Sequence, residues 1–432
     1  MPFVDDLNER YFGGALSAEV LRLLRPIDDE RLEVRQFVER MFRHLHRQRF
    51  PAADFAELLA WSVGSILPGI LPGAWGAVPP ITQKGRHSGI DEYLASNPWR
   101  ALRDGDRMLD LGCGFPPVTT LDTAERFPAV DILGADPSFG EYLVREANGD
   151  YALFDGEGAL LYFQAGVMST SAWEALHSDP LQTRARFSAH LQRLRGRVRE
   201  RAAGNQRVVL DGVELVRHPI AQYERPNVSF IAKGIGAPGM HGFVAVRCFN
   251  VLYYFDDAFR QEALRWLAGT LVEGGISITG ADWLASRYAR YSVHRAEGGT
   301  MIAREFAFSI ENVRPLGIVP VFTLHDDDHD LHLMTSLIAA LRADERFRRD
   351  MDRRLDDIHA SLQICARKPD GYLGTVSADA DPEMLSSGAS MIGTALEQDG
   401  FVERAVEVLQ RSGYRAWINA IGHVAIDPGV MP

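Results

Sequence analysis

The sequence predicts an α/β protein with a doubly wound, mostly parallel sheet, an N-terminal helical region and large α+β insertions. Short apolar runs alternate with amphipathic stretches from residue 104 onward, a pattern typical of parallel strands joined by right-handed helical crossovers. The chain has 432 residues, enough for a full α/β domain with substantial additions. Its composition, 46% hydrophobic and 24% charged, is that of a globular protein with a sizeable core.

The composition also excludes several classes of partner. The formal net charge is −12, whereas nucleic-acid binding needs clustered cations. The three cysteines lie far apart without a CxxC pair, which indicates a reducing compartment and no metal site. The N-terminus lacks the basic and apolar regions of a signal peptide, and no apolar run approaches the ~20 residues of a membrane span. We expect a cytoplasmic protein that binds a small molecule and neither nucleic acid nor membrane, with its oligomeric state left open.

Residues 1–103 are interpreted as a helical cap or lid. Pro51 occupies a position tolerated in the first turn of a helix, and predicts one through Phe55, Leu58 and Leu59. The Pro/Gly-rich stretch 67–80, which carries Trp75, is interpreted as a loop or lid. One apolar stripe at helical spacing predicts a helix over 31–50, with Val34, Phe37, Val38, Met41, Phe42 and Leu45 on its buried face.

Residues 104–138 and 227–283 are predicted to form the core, because strand and helix patterns alternate in both. The strand patterns are RMLDLG (107–112), VDILGAD (130–136), NVSFIA (227–232), GFVAVRCFNVL (242–252) and ISITG (276–280). The helix patterns are 118–128 and 256–275, the second closed by glycines.

Residues 139–226 form a predicted insertion. YALFDGEGALLYF (151–163) and RVVLDGVELV (207–216) each indicate a hairpin around an Asp-Gly turn. Between them, 181–201 is predicted to be a helix with an apolar face and many arginines on its other faces. The arginines are interpreted either as a solvated face or as a clamp for an anion or a partner. The apolar face holds Phe187, Leu191, Leu194 and Val198, and the arginines are Arg184, Arg186, Arg193, Arg195, Arg197, Arg199 and Arg201.

Residues 284–400 are predicted to be an extension with a hairpin over 291–310 and a helical stretch over 330–363, in which Met351, Leu355, Ile358 and Leu362 share one stripe. Residues 401–432 are interpreted as the closing helix and strands of the core. There, an amphipathic helix stops at Gly413 and strand-like residues 414–426 follow.

The central motif is LDLGCGFPP (109–117), which leaves a strand and enters a helix. Gly112 and Gly114 lack a Cβ, so the backbone there can turn sharply and a ligand can approach closely. Asp110 can accept hydrogen bonds near the helix N-terminus. Asp136 ends the next strand, where doubly wound sheets place the acid that pairs with the two hydroxyls of a ribose.

This motif, followed by GADPS (134–138), resembles the class I S-adenosylmethionine (SAM)-dependent methyltransferases, whose Rossmann-like fold binds SAM. The resemblance covers 105–138 and 227–280. It implies that Asp110 and the loop Gly112, Cys113 and Gly114 line the methionine and ribose portions. It further implies that Asp136 holds the ribose hydroxyls, with Pro137 and Ser138 beside the adenine and Asn250 and Val251 beside the sulfonium.

The sequence departs from the family pattern at three positions. Pro116 replaces the third glycine of the motif, Lys233 and Gly234 stand where an acid often contacts the adenine amine, and Val244 replaces an acid early in the fourth strand. We therefore expect backbone and apolar contacts to hold the adenine. Upstream of the core, Lys84, Arg86 and His87 are candidates for binding the SAM carboxylate, with Arg86 preferred, or else belong to a solvated loop.

Methyl transfer needs a base only when the acceptor carries a proton, and His or Tyr would serve. The candidates are His241, Tyr253 and Tyr254, each of which is also a candidate for packing; Tyr288, Arg290 and Tyr291 are candidates for lining the pocket. HDDDHD (325–330) is better explained as an acidic first turn of a helix than as a metal cluster. Cys113 and Cys248 are expected to be small apolar fillers.

Three functional hypotheses follow. The first is a SAM-dependent methyltransferase that acts on a small, specialised-metabolite acceptor by in-line transfer. The second is a cyclase or lyase that consumes SAM, for example to form an azetidine amino acid with release of methylthioadenosine. The third is a SAM-binding protein without turnover that meets a partner through the arginine-rich helix.

Overall fold

The computed structural model describes residues 3–25, 27, 31–66, 82–167, 170–198, 206–282, 289–375 and 382–430. The Pro/Gly-rich stretch 67–80, with Trp75, lies outside the described residues, as do Tyr288, Arg199 and Arg201. None of the helices among the described residues combines the length and apolar character that crossing a membrane requires.

The N-terminal region is helical, as predicted. The stripe from Val34 to Leu45 is buried. The prediction that a helix begins at Pro51 is wrong, because Pro51 is followed by a 3₁₀ turn over Ala52–Asp54. Phe55 is extended and packs on Phe42, with ring centroids 5.5 Å apart, so the next helix begins at Glu57. The helices are α1 (Phe3–Phe12, with left-handed backbone angles), α2 (Ala18–Leu24), α3 (Leu32–Arg47) and α4 (Glu57–Trp61).

The first half of the core is the predicted strand–helix–strand unit. In chain order it comprises α5 (Ser88–Ser96), β1 (Arg107–Leu111), α6 (Val118–Arg126) and β2 (Asp131–Ala135). The two strands pair in parallel, with Leu111 opposite Ala135. The crossover therefore brings their carboxyl ends to one edge of the sheet.

The insertion forms a separate five-stranded antiparallel sheet in the order β5-β4-β3-β7-β6. Both predicted hairpins are confirmed, with turns at Asp155-Gly156 and Asp211-Gly212. Phe187, Leu191 and Leu194 are buried against this sheet. The elements are β3 (Tyr142–Arg145), β4 (Tyr151–Phe154), β5 (Leu160–Gln164), α7 (Thr170–His177), α8 (Pro180–Arg195), β6 (Gln206–Leu210) and β7 (Val213–Arg217).

The second half of the core comprises β8 (Val228–Ile231), β9 (Phe243–Phe249), α9 (Asp257–Thr270) and β10 (Leu271–Asp282). The prediction of a helix up to 275 is wrong in its end, since β10 already begins at Leu271. The register of β10 against β9 shifts between Leu271 and Ile276. Gly274 has φ +76, so the glycines that were expected to close the helix form a bulge in the strand instead.

The remainder extends the sheet and covers it. The hairpin over 291–310 is confirmed as β11 (Ala289–Glu297) and β12 (Thr300–Phe308). The helical stretch over 330–363 is two helices, because Asp344 is extended and its carboxylate accepts a hydrogen bond from the Phe347 amide. The elements are α10 (His329–Ala343), α11 (Glu345–Ser361), β13 (Cys365–Arg367), β14 (Leu373–Thr375), α12 (Pro382–Gln398), α13 (Phe401–Arg411), β15 (Ala416–Ile418) and β16 (Val424–Ile426).

The main sheet has nine strands in the order β15-β16-β12-β11-β10-β9-β1-β2-β8. The five strands from β10 to β8 are parallel. Counted in chain order, those five follow the doubly wound arrangement 3-2-1-4-5. The strands from β11 to β15 continue the sheet in antiparallel fashion, so the closing strands lie beyond the hairpin at its far edge. The predicted fold class is confirmed, and the division into domains stays a prediction.

Candidate functional site

The candidate site lies where β1 and β9 run side by side and their connections leave in opposite directions. Ligands of doubly wound sheets bind at this switch point, outside the carboxyl ends of the strands. Gly112 and Gly114 follow β1 with φ of +70 and +71. A Cβ on Gly112 would lie 2.3 Å from the Val251 side chain. The loop therefore needs glycine both for its backbone angles and for its approach to Val251.

Asp136 closes β2 beside this loop and is 6% exposed. One carboxylate oxygen accepts the Gly114 amide at 2.8 Å, and the other accepts the Ser138 amide at 2.8 Å together with the Ser138 hydroxyl. A carboxylate offers about four acceptor positions, so Asp136 retains capacity for a ligand hydroxyl. Pro137 is exposed and lies next to Gly234. The structure thus brings together the residues predicted around the ribose.

Asp110 has a different environment. Its carboxylate accepts two hydrogen bonds from Arg247, at 2.9 and 2.6 Å, and one from the Thr120 hydroxyl at 2.7 Å. Arg247 is fully buried and also donates to Asp91 at 2.8 Å. Burial opposes ionisation of Asp110, but the Arg247 charge holds the Asp110 pKa below its ordinary value. Protein groups therefore engage Asp110, and a direct contact with a ligand stays a prediction.

Arg247 was missed at the sequence level. It stands in the middle of β9, all of whose residues are buried. The available signal was a charged residue inside an otherwise apolar strand, since a cation is rarely fully buried without a partner. The pairing with Asp110 was hidden because 137 positions separate the two residues in the chain.

The segment before α5 joins the carboxyl ends of β9 and β10. Arg86 and His87 both contact the Asp282 carboxylate, at 2.7 and 3.1 Å, and the Asn250 amide donates to it at 2.6 Å. Burial of Asp282 opposes ionisation, yet the charges of Arg86 and His87 outweigh it and hold the Asp282 pKa low. Arg86 therefore lies at the predicted edge of the sheet, where it pairs with Asp282, a partner that the sequence had not indicated. Lys84, in contrast, is exposed.

The candidate bases occupy unequal positions. His241 is exposed and precedes β9, at the amino end of a strand whose seven residues span roughly 20 Å, so its proposal as a base is wrong. Tyr253 lies close to Asn250, to which its hydroxyl donates at 3.3 Å. Burial raises the Tyr253 pKa to about 12 and the Tyr254 pKa well above 10. Both phenols are therefore protonated at neutral pH.

The remaining candidates have mainly packing or capping contacts. Tyr291 is buried and its hydroxyl accepts from Asn419, so it faces the core. Asp328 accepts the Leu331 amide at 3.1 Å, which confirms that HDDDHD begins a helix, here α10. Burial raises the pKa of the Cys113 thiol well above 9 and that of Cys248 to about 12, so both thiols are packed in their neutral form.

A cavity of about 270 Å³ lies next to the switch point, between β10, β11, α9 and the start of α10. Tyr253 lies between the cavity and the switch point, since it lines the cavity and also contacts Asn250 at the end of β9. Burial lowers the pKa of His294, and its Nδ1 has no hydrogen-bond partner among the described residues. The polar lining includes Arg260, Thr279, Arg290, His294, Asp328 and Asp330.

Comparison with known proteins finds no sequence family and solved structures of low similarity only. No family model matches the chain, and no curated protein matches it either. Among solved structures, it is similar to PKMT2 from Rickettsia typhi in complex with AdoHcy, with 14% identity, a TM-score of 0.19, and coverage of 52% of this chain and 26% of that one.

It is also similar to an O-methyltransferase family protein from Burkholderia thailandensis, with 12% identity, a TM-score of 0.22, and coverage of 57% and 53%. A third similar structure is that of an O-methyltransferase family 2 protein from Planctomyces limnophilus in complex with apigenin. The identity is 12%, the TM-score is 0.24, and the match covers 66% of this chain and 76% of that one. The chain thus spans less than two thirds of the first two proteins. Its own strand order and glycine loop provide the architecture that the resemblance to class I SAM-dependent methyltransferases implies.

Proposed function

We propose that the chain is a SAM-dependent methyltransferase whose acceptor is a small molecule. The observation that carries this proposal is the meeting of the Gly112–Gly114 loop with Asp136 at the switch point of a 3-2-1-4-5 sheet. The residues fit the cofactor in two respects. The glycines let the loop turn at positive φ directly after β1, and the nearly buried carboxylate of Asp136 keeps acceptor capacity for a ribose hydroxyl.

The division of roles among the residues follows from their positions. SAM supplies the electrophilic methyl group, so the protein needs to align the reactants and exclude water. Asp136 and the glycine loop would hold the nucleoside, and Val251 would pack beside it. The buried pair of Asp110 with Arg247 would fix the strand ends on which this loop depends.

The cavity next to the switch point supports a small acceptor. Its volume of about 270 Å³ falls just below the range of about 300–1,000 Å³ that is usual for small-molecule sites, so only a small acceptor would fit. His294 is kept neutral by burial, as acceptance of a proton from an acceptor hydroxyl or amine requires. Tyr253 and Tyr254 are less suited to this role because their pKa values are raised.

The test is equilibrium binding followed by turnover. Calorimetry should show that the protein binds SAM and S-adenosylhomocysteine, and methyl-labelled SAM should label members of a panel of phenols, carboxylic acids and amines. Absence of SAM binding would overturn the proposal. Release of methylthioadenosine from SAM alone would instead favour the cyclase or lyase, and tight binding without any turnover would favour the non-catalytic protein.

A further inference from the structure

The insertion carries a buried polar group without a partner. Tyr162 lies in β5 and is 1% exposed, and its hydroxyl has no hydrogen-bond partner among the described residues. Burying a hydroxyl without compensation is unfavourable, and most buried polar side chains are therefore satisfied. An orphaned hydroxyl of this kind points to a hydrogen-bond partner outside the described residues.

Tyr162 is located at the cofactor loop. It belongs to one apolar cluster with Cys113, Phe115 and Phe139, so β5 of the insertion shares a core with the loop that follows β1 and with the turn that follows Asp136. Burial chiefly, and after it Tyr151 and the Asp136 carboxylate, raise the Tyr162 pKa well above 10. The hydroxyl therefore remains protonated near a carboxylate that lacks one of its possible donors.

We propose that Tyr162 is a cofactor-binding residue whose hydroxyl donates a hydrogen bond to the ribose diol of the adenosyl ligand held by Asp136. A ligand hydroxyl both donates and accepts, so it can give its proton to Asp136 and accept one from Tyr162. A vicinal diol satisfies both groups at once, whereas an apolar ligand would leave the Tyr162 hydroxyl orphaned. This inference rests on the proposed function, because it deepens the description of the same site.

Tyr151 provides a matched control on the neighbouring strand. Its hydroxyl already donates to the Phe115 carbonyl at 3.1 Å, and its ring belongs to the same apolar surface. Tyr162→Phe and Tyr151→Phe remove one oxygen each from adjacent strands of the insertion. Only the first removes a donor that is free to meet a ligand.

The experiment is calorimetric titration of the full chain and both variants with S-adenosylhomocysteine. We expect Tyr162→Phe to weaken binding about 3- to 10-fold, the range of one net hydrogen bond, and Tyr151→Phe to change affinity less than about twofold because its bond is internal. Equal affinity of Tyr162→Phe and the unmodified chain would overturn the proposal. An equal loss in both variants would also overturn it, because packing of the insertion would then be responsible.

A double-mutant cycle identifies the ligand group. In the unmodified chain, 2′-deoxy and 3′-deoxy forms of S-adenosylhomocysteine should bind more weakly than the parent ligand. In Tyr162→Phe, the loss of affinity caused by one of these deoxy substitutions should be about 3- to 10-fold smaller than in the unmodified chain. Strictly additive losses would exclude a bond to the ribose. If the unmodified chain bound none of these ligands, the proposed function itself would fail, which is a different result from the failure of Tyr162 alone.

The stability of the ligand-free protein separates binding from folding. Since the Tyr162 hydroxyl has no partner among the residues that the structure describes, we expect Tyr162→Phe to unfold at the same urea concentration as the unmodified chain or a higher one. Tyr151→Phe should unfold at a lower concentration because it loses an internal bond. A marked loss of stability in Tyr162→Phe would show that the hydroxyl has a partner within the fold, and would overturn the inference.

Discussion

Two aspartates end neighbouring parallel strands, and their surroundings differ at the level of single atoms. Asp110 accepts two hydrogen bonds from the buried charge of Arg247 and one from Thr120, whereas the three that Asp136 accepts come from neutral donors, the Gly114 amide and the amide and hydroxyl of Ser138. Both were predicted from one motif to face the ligand. The first is thus paired with a buried cation in the core, whereas the hydrogen bonds described for the second come from uncharged groups next to the glycine loop.

Substitution of Asp136 should therefore separate binding from folding. We predict that Asp136→Ala weakens SAM binding by about 1–3 kcal/mol, because the ribose hydroxyls lose their acceptor. Calorimetry measures this change. Asp131→Ala is the control, since Asp131 is exposed at the amino end of β2, where it forms a solvent-exposed ion pair with Arg107. Unchanged affinity in Asp136→Ala would remove this carboxylate from the site.

Substitution of Arg247 should affect the core. Arg247→Met leaves Asp110 and Asp91 buried without their cation, so we predict a loss of about 3–5 kcal/mol in the free energy of unfolding. Urea denaturation measures it. Arg225→Met is a suitable control, because Arg225 forms an exposed pair with Glu125 and should contribute at most about 1 kcal/mol. Similar values for the two variants would contradict the role of the buried pair.

At the scale of elements, the glycines around the end of α9 have opposite requirements. Gly269 lies within the helix, and a Cβ there would meet no atom within 4 Å. Gly274 has φ +76 in the bulge of β10, which L-residues with a side chain adopt at a cost. The same substitution should therefore have opposite effects at two positions five residues apart.

We predict that Gly269→Ala raises the free energy of unfolding by about 0.5–1 kcal/mol, and that Gly274→Ala lowers it by about 1–2 kcal/mol. Thermal and urea unfolding of the two variants measure these changes. If both variants were stabilised, residues 271–275 would continue the helix, as the sequence suggested, and the assigned bulge would be incorrect.

The elements that could be predicted from the sequence are those fixed by local pattern. The periodicity of α3 and the turn residues Asp155-Gly156 and Asp211-Gly212 act over a few positions, and the predictions based on them are confirmed. The end of α9 and the start of α4 depend instead on sheet register and on the packing of Phe55, which no local pattern contains.

The same distinction applies to the site. Gly112, Gly114 and Asp136 belong to a compact motif and are brought together as expected. Asp282 and Arg247 meet their partners across 196 and 137 positions of the chain, so only the folded sheet reveals them.

For the whole molecule, two buried carboxyl groups, Asp282 and Asp91, make the free energy of unfolding depend on pH. Arg86 and His87 hold the Asp282 pKa below its ordinary value of 3.8 in spite of burial, so Asp282 stabilises the fold above that value and this contribution is lost as the pH falls below it. Burial raises the Asp91 pKa from 3.8 to about 6, so its contribution is present at low pH and lost as the pH rises through 6.

We predict that the free energy of unfolding, measured by urea denaturation from about pH 3 to pH 8, is highest near pH 4. It falls in more acidic solution, where Asp282 takes up a proton on unfolding, and it falls again between about pH 4 and pH 6, where Asp91 loses a proton on unfolding. Asp282→Asn should flatten the acid side and leave the other side unchanged. A variant with the same decline in acid as the unmodified chain would show that other carboxylates dominate there.

The position of β16 between β12 and β15 has a consequence for how the chain assembles. Phe308 pairs with Val424, more than a hundred residues further on. At a synthesis rate of about 5–20 residues per second, roughly 5–20 seconds would pass between the synthesis of β12 and that of its partner strand β16. Until β16 is made, β12 with Phe306 and Phe308 would be an unpaired edge strand. Chaperones bind such apolar edges, and nascent chains aggregate through them.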